Sequence, residues 1–185
     1  MEKRQKLENV ISLLPLVLID EVMERLPLLD AAYISILSHQ WFSSWPSIRT
    51  LELNRQFIME VFRNRVLDAN GFSRLVSKLL LQYYDPGKLR RFQVYIPGFP
   101  ALDSQSHLDV DVDQWISYLS RTGVSDIYIE NRNYFCYMLS HSLFSIKKLE
   151  KLSIRGFKMI TPETFNGFEN LTLLDIINFL WPIAH

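Results

Sequence analysis

The chain of 185 residues is long enough for one compact domain, or for a small module followed by a larger one. Hydrophobic residues make up 48% and charged residues 22%, which is close to the globular average and predicts a buried core. The 20 basic residues balance 20 acidic ones, so the chain lacks the basic excess that binding to nucleic-acid phosphates requires. We therefore expect a folded protein that does not bind nucleic acid.

Nothing in the sequence has the pattern of a signal peptide or of a membrane-spanning helix. The apolar stretch over residues 10–29 is interrupted by four charged side chains, the first of which is Asp20, so it is not expected to cross a bilayer. Cys136 is the only cysteine, which excludes an internal disulfide. These features predict a protein without a membrane partner that resides in the nucleus, the cytoplasm or both.

The first part of the chain, residues 9–50, predicts three short helices. Apolar residues recur every four positions, as an amphipathic helix requires: Leu14, Leu18, Val22 and Leu26. Pro15 suits the first turn of this helix and Pro27 ends it. Asp30 is the expected N-cap of a second helix. Ser38 is the expected N-cap of a third, which carries Trp41 and Trp45 one turn apart.

The next stretch, residues 51–100, mixes helix and strand. Residues 57–84 have apolar residues near helical spacing, with Gly71 expected to break the stretch or to join two pieces. Residues 91–96 alternate polar and apolar side chains, as a half-buried strand does.

Four short segments share the pattern apolar-x-x-apolar-x-apolar: residues 89–94, 124–129, 149–154 and 171–176. Their starts lie about 35, 25 and 22 residues apart, and the last two intervals fall in the range of leucine-rich repeats. Each such unit buries its strand side chains only by stacking on the next unit. The pattern favours a solenoid over an ordinary α/β domain with parallel strands.

Residues 11–41 resemble an F-box in a fixed series of segments: ISLLP at 11–15, LIDEVMERLP at 18–27, LLDAA at 28–32 and SILSHQW at 35–41. Further along, Trp115, the Gly123-Val124 pair and the Leu143-Phe144 pair follow the order seen in plant F-box proteins whose repeats often precede an FBD segment. The chain is thus similar, over most of its length, to plant F-box/leucine-rich-repeat proteins of the F-box/FBD/LRR type.

The resemblance implies an α/β fold in which a three-helix F-box, residues 9–50, precedes a partial leucine-rich-repeat solenoid with a short parallel sheet, residues 51–185. The family usually continues through more repeats, so the chain is expected to be short at its C-terminus. It implies the substrate-recognition subunit of a Skp–cullin–F-box ubiquitin ligase, with no catalytic activity and no cofactor of its own. The partners are then a Skp-type adaptor, through it a cullin, and an unidentified target. Two alternatives remain: a repeat scaffold outside any ligase, and a truncated decoy that occupies the adaptor without recruiting a target.

The resemblance also places the adaptor-binding surface on nine residues: Leu14, Pro15, Ile19, Val22, Leu26, Pro27, Leu28, Leu37 and Trp41. A segment this short cannot bury so many apolar groups within itself, which supports an interface. For single residues, especially Trp41 and Leu37, packing between the helices is an equal alternative. The sequence departs from the family at Leu16-Val17, where a polar pair is usual, and at His39-Gln40, where a basic pair is usual.

No catalytic or metal-binding constellation is evident. Cys136 and His141 lack an orienting acid, and the histidines are scattered without zinc-ligand spacing. Asp109-x-Asp111-x-Asp113 copies the opening of a calcium loop, but glycine and glutamate are missing from the positions where that loop requires them. We interpret this triplet as a solvated acidic turn before a helix.

Overall fold

The structure is a computed structural model that describes residues 14–36, 38–63, 66–82, 87–99, 108–133 and 137–177. This part of the chain contains six α-helices, a five-stranded parallel sheet and a second parallel sheet of two strands. The predicted α/β class is therefore confirmed. Among these residues, none of the helices combines the length and hydropathy that crossing a bilayer requires.

Three α-helices and one turn of 3-10 helix come first: α1 (Leu16–Arg25), α2 (Leu28–Ser35), α3 (His39–Ser43) and Trp45–Ser47. Pro15 and Pro27 occupy the N-cap positions of α1 and α2. The prediction that Asp30 caps the second helix is wrong, because that helix begins after Pro27 and holds Asp30 in its first turn. Ser38 caps α3 as predicted, since its side chain accepts a hydrogen bond from the Trp41 backbone N–H at 3.4 Å.

A strand and two helices follow: β1 (Thr50–Leu53), α4 (Arg55–Val61) and α5 (Ala69–Leu81). The predicted break at Gly71 is wrong, because Gly71 lies in the first turn of α5. Asp68 begins that helix instead, and its carboxylate accepts a hydrogen bond from the Gly71 backbone N–H at 2.5 Å. The sequence reading also missed β1, although Ile48, Leu51 and Leu53 repeat the pattern of the later strands.

The remaining elements alternate strands with returning segments: β2 (Arg91–Ile96), α6 (Leu108–Leu119), β3 (Asp126–Asn131), β4 (Tyr137–Met138), a 3-10 helix (His141–Ser145), β5 (Lys151–Arg155), β6 (Phe157–Lys158) and β7 (Leu173–Ile177). Four of the five main strands are those that the repeated pattern predicted, each beginning two residues later than the pattern. β4 and β6 form the small second sheet.

The strands of the main sheet lie in the same order as in the chain, β1-β2-β3-β5-β7, and all are parallel. In-register positions therefore form rows across the sheet, and one of them consists of Leu51, Phe92, Ile127, Leu152 and Leu174. The first four of these are buried, as are Ile19 and Met23 of α1, and all belong to one contiguous hydrophobic cluster. The N-terminal helices and the sheet thus share a core.

Candidate interaction surfaces

Eight of the nine residues predicted to bind an adaptor are described, and Leu37 lies outside the described residues. Two of the eight, Ile19 and Trp41, are buried in the core of the chain itself. The others are partly or fully exposed: Leu14, Pro15, Val22, Leu26, Pro27 and Leu28. The structure therefore divides the predicted set into a surface group and two inward-facing residues.

Ile19 and Trp41 occupy positions that packing explains. Ile19 is fully buried on α1, and Trp41 of α3 is 4% exposed. Both belong to the cluster that joins the helices to the sheet. Packing between the helices and the sheet thus accounts for the position of Trp41. Contact of either side chain with an adaptor stays a prediction.

Four aliphatic side chains of α1 are exposed, and we call them the exposed α1 face. Leu16 is 54% exposed, Val17 69% and Leu18 45%, and Val22 is 39% exposed one turn further on. A short surface helix normally turns polar residues to water, so a run of exposed aliphatic side chains indicates a protein-interaction surface. The sequence reading noted Leu16-Val17 only as a departure from the family; the same pair is the most exposed part of this face.

One of the two residues at the His39-Gln40 departure makes a tertiary contact. The Gln40 side-chain amide donates a hydrogen bond to the backbone carbonyl of Leu14 at 3.0 Å. This contact ties α3 to Leu14, which precedes the N-cap of α1.

A groove of about 460 Å³ lies between the α1–α2 turn and β1. We call it the α1–β1 groove. Its apolar lining is Leu26, Pro27, Leu28, Leu29, Ile48 and Phe57, and its strand wall includes Thr50 and Glu52. Leu26, Pro27 and Leu28 belong to the predicted adaptor surface, so the groove continues that surface toward the sheet.

The opposite surface of the sheet, which faces away from the core rows, is polar and ordered by ion pairs. Arg91 of β2 lies 2.9 Å from the Asp126 carboxylate of β3 and 3.5 Å from the Glu52 carboxylate of β1. These three side chains link three neighbouring strands. We call this surface the outer face of the sheet.

A second set of contacts on the outer face joins β3, β5 and β7. Asp175 accepts hydrogen bonds from the Arg155 guanidinium at 2.7 Å and from the Ser153 hydroxyl at 3.0 Å. The guanidinium carbon of Arg155 lies 5.5 Å from the ring centroid of Tyr128, which is cation–π distance. The Tyr128 hydroxyl donates to Glu130 at 2.6 Å. These contacts connect the side chains of the outer face across β3, β5 and β7.

The Asp175 contacts predict a pH dependence of stability. Hydrogen bonds from Arg155 and then from Ser153 hold the pKa of the Asp175 carboxyl below its usual range. A lowered pKa in the folded state contributes stability above the unfolded pKa of about 4, and this is lost as the pH falls through the folded pKa. We expect Asp175→Asn to lower the melting temperature at pH 7 and to have a smaller effect at pH 3. Melting curves across that range, with Glu169→Gln as an exposed control, test this; an equal effect at both pH values contradicts it.

The acidic triplet is not the solvated turn that the sequence suggested. Asp109, Asp111 and Asp113 lie within α6, and two of them are engaged in tertiary contacts. Asp111 accepts a hydrogen bond from the Ser73 hydroxyl at 2.5 Å, and Asp113 accepts one from the Ser140 backbone N–H at 2.9 Å. Burial raises the pKa of Asp113. The triplet therefore connects α6 to its neighbours.

Within the described ranges, no group of three His, Cys, Asp or Glu side chains is arranged to hold a metal ion. His141 begins the 3-10 helix after β4. Cys136, the other member of the pair considered from the sequence, lies outside the described residues.

Comparison with known proteins identifies relatives in Arabidopsis thaliana. An F-box/FBD/LRR-repeat protein is 26% identical over 173 residues, covering 93% of this chain and 39% of the relative. F-box/LRR-repeat protein 13 is 26% identical over 179 residues, covering 90% of this chain and 35% of the relative. Another F-box/LRR-repeat protein is 25% identical over 173 residues, covering 91% of this chain and 52% of the relative.

These similarities confirm the predicted resemblance to plant F-box/leucine-rich-repeat proteins. The chain spans between about a third and a half of the length of these relatives. No protein-family model and no solved structure matches the chain.

Proposed function

We propose that the chain is the substrate-recognition subunit of a Skp–cullin–F-box type ubiquitin ligase. In this role residues 9–50 are a three-helix F-box that binds a Skp-type adaptor, and residues 51–185 are a leucine-rich-repeat solenoid that binds a target protein. The observation that carries the proposal is the exposed apolar face of α1, located on a short helical unit that shares its core with a parallel sheet.

The adaptor end of the proposal rests on the chemistry of the exposed helical residues. The centres of protein interfaces are enriched in large apolar side chains that become desolvated on binding. Val22 and the residues of the α1–α2 turn meet this description, as do the neighbouring Leu16 and Val17. The three relatives carry F-box in their names, which supports the same class of partner.

The target end rests on the sheet. Parallel strands that follow one another in chain order form a surface that grows with each unit, as in repeat proteins. The outer face presents ordered charged and aromatic side chains, such as Arg91 and Tyr128, to a partner. The chain then catalyses nothing itself; it places the target near a ubiquitin-conjugating enzyme that the adaptor and cullin bring, in the nucleus or the cytoplasm.

The first test is adaptor binding by a variant of the α1 face. We expect Val22→Asp to lower the affinity for a Skp-type adaptor at least about 100-fold, because it places a charge in a desolvated apolar contact. Val110→Asp is the matched control: Val110 is 47% exposed on α6 and Val22 is 39% exposed on α1. Binding is measured by titration of the purified chain with a panel of adaptors. The pair Leu14→Asp with Pro15→Ala probes the other end of the predicted surface.

The outcomes separate the proposed function from its alternatives. Adaptor binding that Val22→Asp removes and Val110→Asp preserves supports the F-box. If the folded wild-type chain binds no adaptor, the ligase role is wrong and a repeat scaffold outside any ligase is favoured. Adaptor binding without ubiquitination of any captured partner, in a reconstituted ligase, favours the decoy.

A further inference from the structure

Two of the nine predicted adaptor residues, Ile19 and Trp41, are buried in the core of the chain. Little of their side-chain surface is therefore available to a partner in this conformation. A stable protein–protein interface buries roughly 800 Å² on each side. The α1–β1 groove lies next to the exposed apolar surface of the helical unit and can extend it.

The groove has the lining that such a continuation requires. Leu26, Leu28 and Leu29 are partly exposed along one wall, and the buried Ile48 and Phe57 lie at its base. The wall is shared with the predicted adaptor surface through the α1–α2 turn.

The other wall is an unpaired strand edge. β1 is the first strand of the main sheet and pairs only with β2 among the described strands. The backbone carbonyl of Arg49 accepts from the Arg91 N–H at 3.1 Å, and alternate residues of a parallel strand bond to the same neighbour. The backbone groups of Thr50 and Glu52 therefore point away from β2, toward the free edge.

Two carboxylates at the rim are already paired within the chain, and the exposed Arg25 also lines the groove. Glu24 lies 3.1 Å from Arg49, and Glu52 lies 3.5 Å from Arg91. A highly charged partner gains little from carboxylates that already have a cation beside them. The groove therefore fits an extended segment that uses backbone hydrogen bonds and apolar contacts.

We propose that a Skp-type adaptor inserts such a segment into the α1–β1 groove and pairs it with β1 as an added strand. The backbone of Thr50 and Glu52 provides the hydrogen bonds, and an aliphatic or aromatic side chain of the adaptor fills the space over Ile48 and Phe57. Strand addition to a free sheet edge is a recurring mode of peptide recognition. This inference rests on the proposed function and extends the adaptor surface from the helices onto the repeats.

Thr50→Pro tests the pairing directly. Proline at position 50 removes the N–H that faces the free edge and leaves the β1–β2 hydrogen bonds in place, and the first residue of a strand tolerates proline. We expect adaptor affinity to fall about five- to tenfold. Thr50→Val is the matched control, because it changes the side chain but keeps the N–H; its affinity is expected to stay within about twofold of the wild type. Circular dichroism and melting curves establish that each variant is folded.

Comparison with Val22→Asp distinguishes this inference from the proposed function. Loss of binding in Val22→Asp together with unchanged binding in Thr50→Pro overturns strand addition and leaves the ligase role intact. Absence of adaptor binding by the wild-type chain overturns both. Equal weakening by Thr50→Pro and Thr50→Val also contradicts strand addition, because it assigns the effect to the side chain.

A measurement on the wild-type chain covers the case in which Thr50→Pro does not fold. Amide hydrogen exchange is recorded with and without saturating adaptor. Strand addition predicts slower exchange at the Thr50 and Glu52 amides and no change at Leu174, which lies on the opposite edge strand. Unchanged exchange at residues 50–52 in a complex that forms contradicts the inference.

Discussion

Replacement of Gly156 by alanine is expected to destabilise the chain by about 3–4 kcal/mol, or to prevent folding. Gly156 has a φ of +75°, a conformation that costs a residue with a Cβ roughly 1–2 kcal/mol. A Cβ at this position also comes within 2.2 Å of the backbone oxygen of Asn131. Real Cβ atoms do not approach a backbone oxygen this closely, so the sheet itself has to shift.

The consequences of that shift extend over three strands. The Asn131 side-chain amide donates to the Gly156 carbonyl at 3.0 Å, and the Gly156 N–H donates to the Ile177 carbonyl at 2.8 Å. Asn131 is 1% exposed, so its amide is left without water if this contact is lost. Gly156 therefore connects the ends of β3, β5 and β7.

Gly167→Ala is the control for the conformational part of the effect. Gly167 has a φ of +110°, but nothing lies within 4 Å of an added Cβ. We expect it to lose only the conformational term, about 1–2 kcal/mol. Urea denaturation of both variants measures the difference. Equal losses at the two glycines contradict the role assigned to the close approach of Asn131.

The second large expected effect is at Leu152. Leu152→Ala is expected to destabilise the chain by about 3 kcal/mol, because the side chain is 1% exposed and its removal leaves a cavity in the core. Leu174 is its register partner on β7 and is 56% exposed. Leu174→Ala is therefore expected to cost less than about 1 kcal/mol.

The two leucines form a matched pair, because they are the same residue type at equivalent positions of adjacent strands. Denaturation of both variants under identical conditions tests the prediction, and an unchanged m-value verifies that each still unfolds in the same way. If Leu174→Ala lowers the free energy of unfolding as much as Leu152→Ala does, the prediction is wrong and the Leu174 side chain is buried in solution.

The repeated pattern identified the main strands because their side chains alternate between a buried row and the outer face. This alternation is a local property, so residues 91–96 and 124–129 were readable without tertiary information. β1 was missed because its four residues lie between a helical unit and another helix, although Ile48, Leu51 and Leu53 follow the pattern. The break assigned to Gly71 was wrong because glycine also fits the first turn of a helix that Asp68 caps.

The candidate site was readable only in part. Apolar residues at helical spacing predicted α1, but α1 is apolar on more than one side. The spacing alone therefore does not show that Ile19 faces inward while Val22 and Val17 face outward. The α1–β1 groove is formed by residues that are far apart in the helical pattern, such as Leu29 and Thr50, and no sequence signal brings them together.

Four features can be predicted from the sequence alone: the α/β class, the helical N-terminal unit, most of the strands and the resemblance to F-box/leucine-rich-repeat proteins. These features depend on local periodicity, on proline and capping residues, and on motif spacing. Which of two similar residues is buried, as with Leu152 and Leu174, follows from the tertiary structure and not from the local sequence. Whether a side chain is buried, and whether a strand edge is free, depends on which element packs beside it. Strands with the same local pattern have different neighbours at different positions in the sheet.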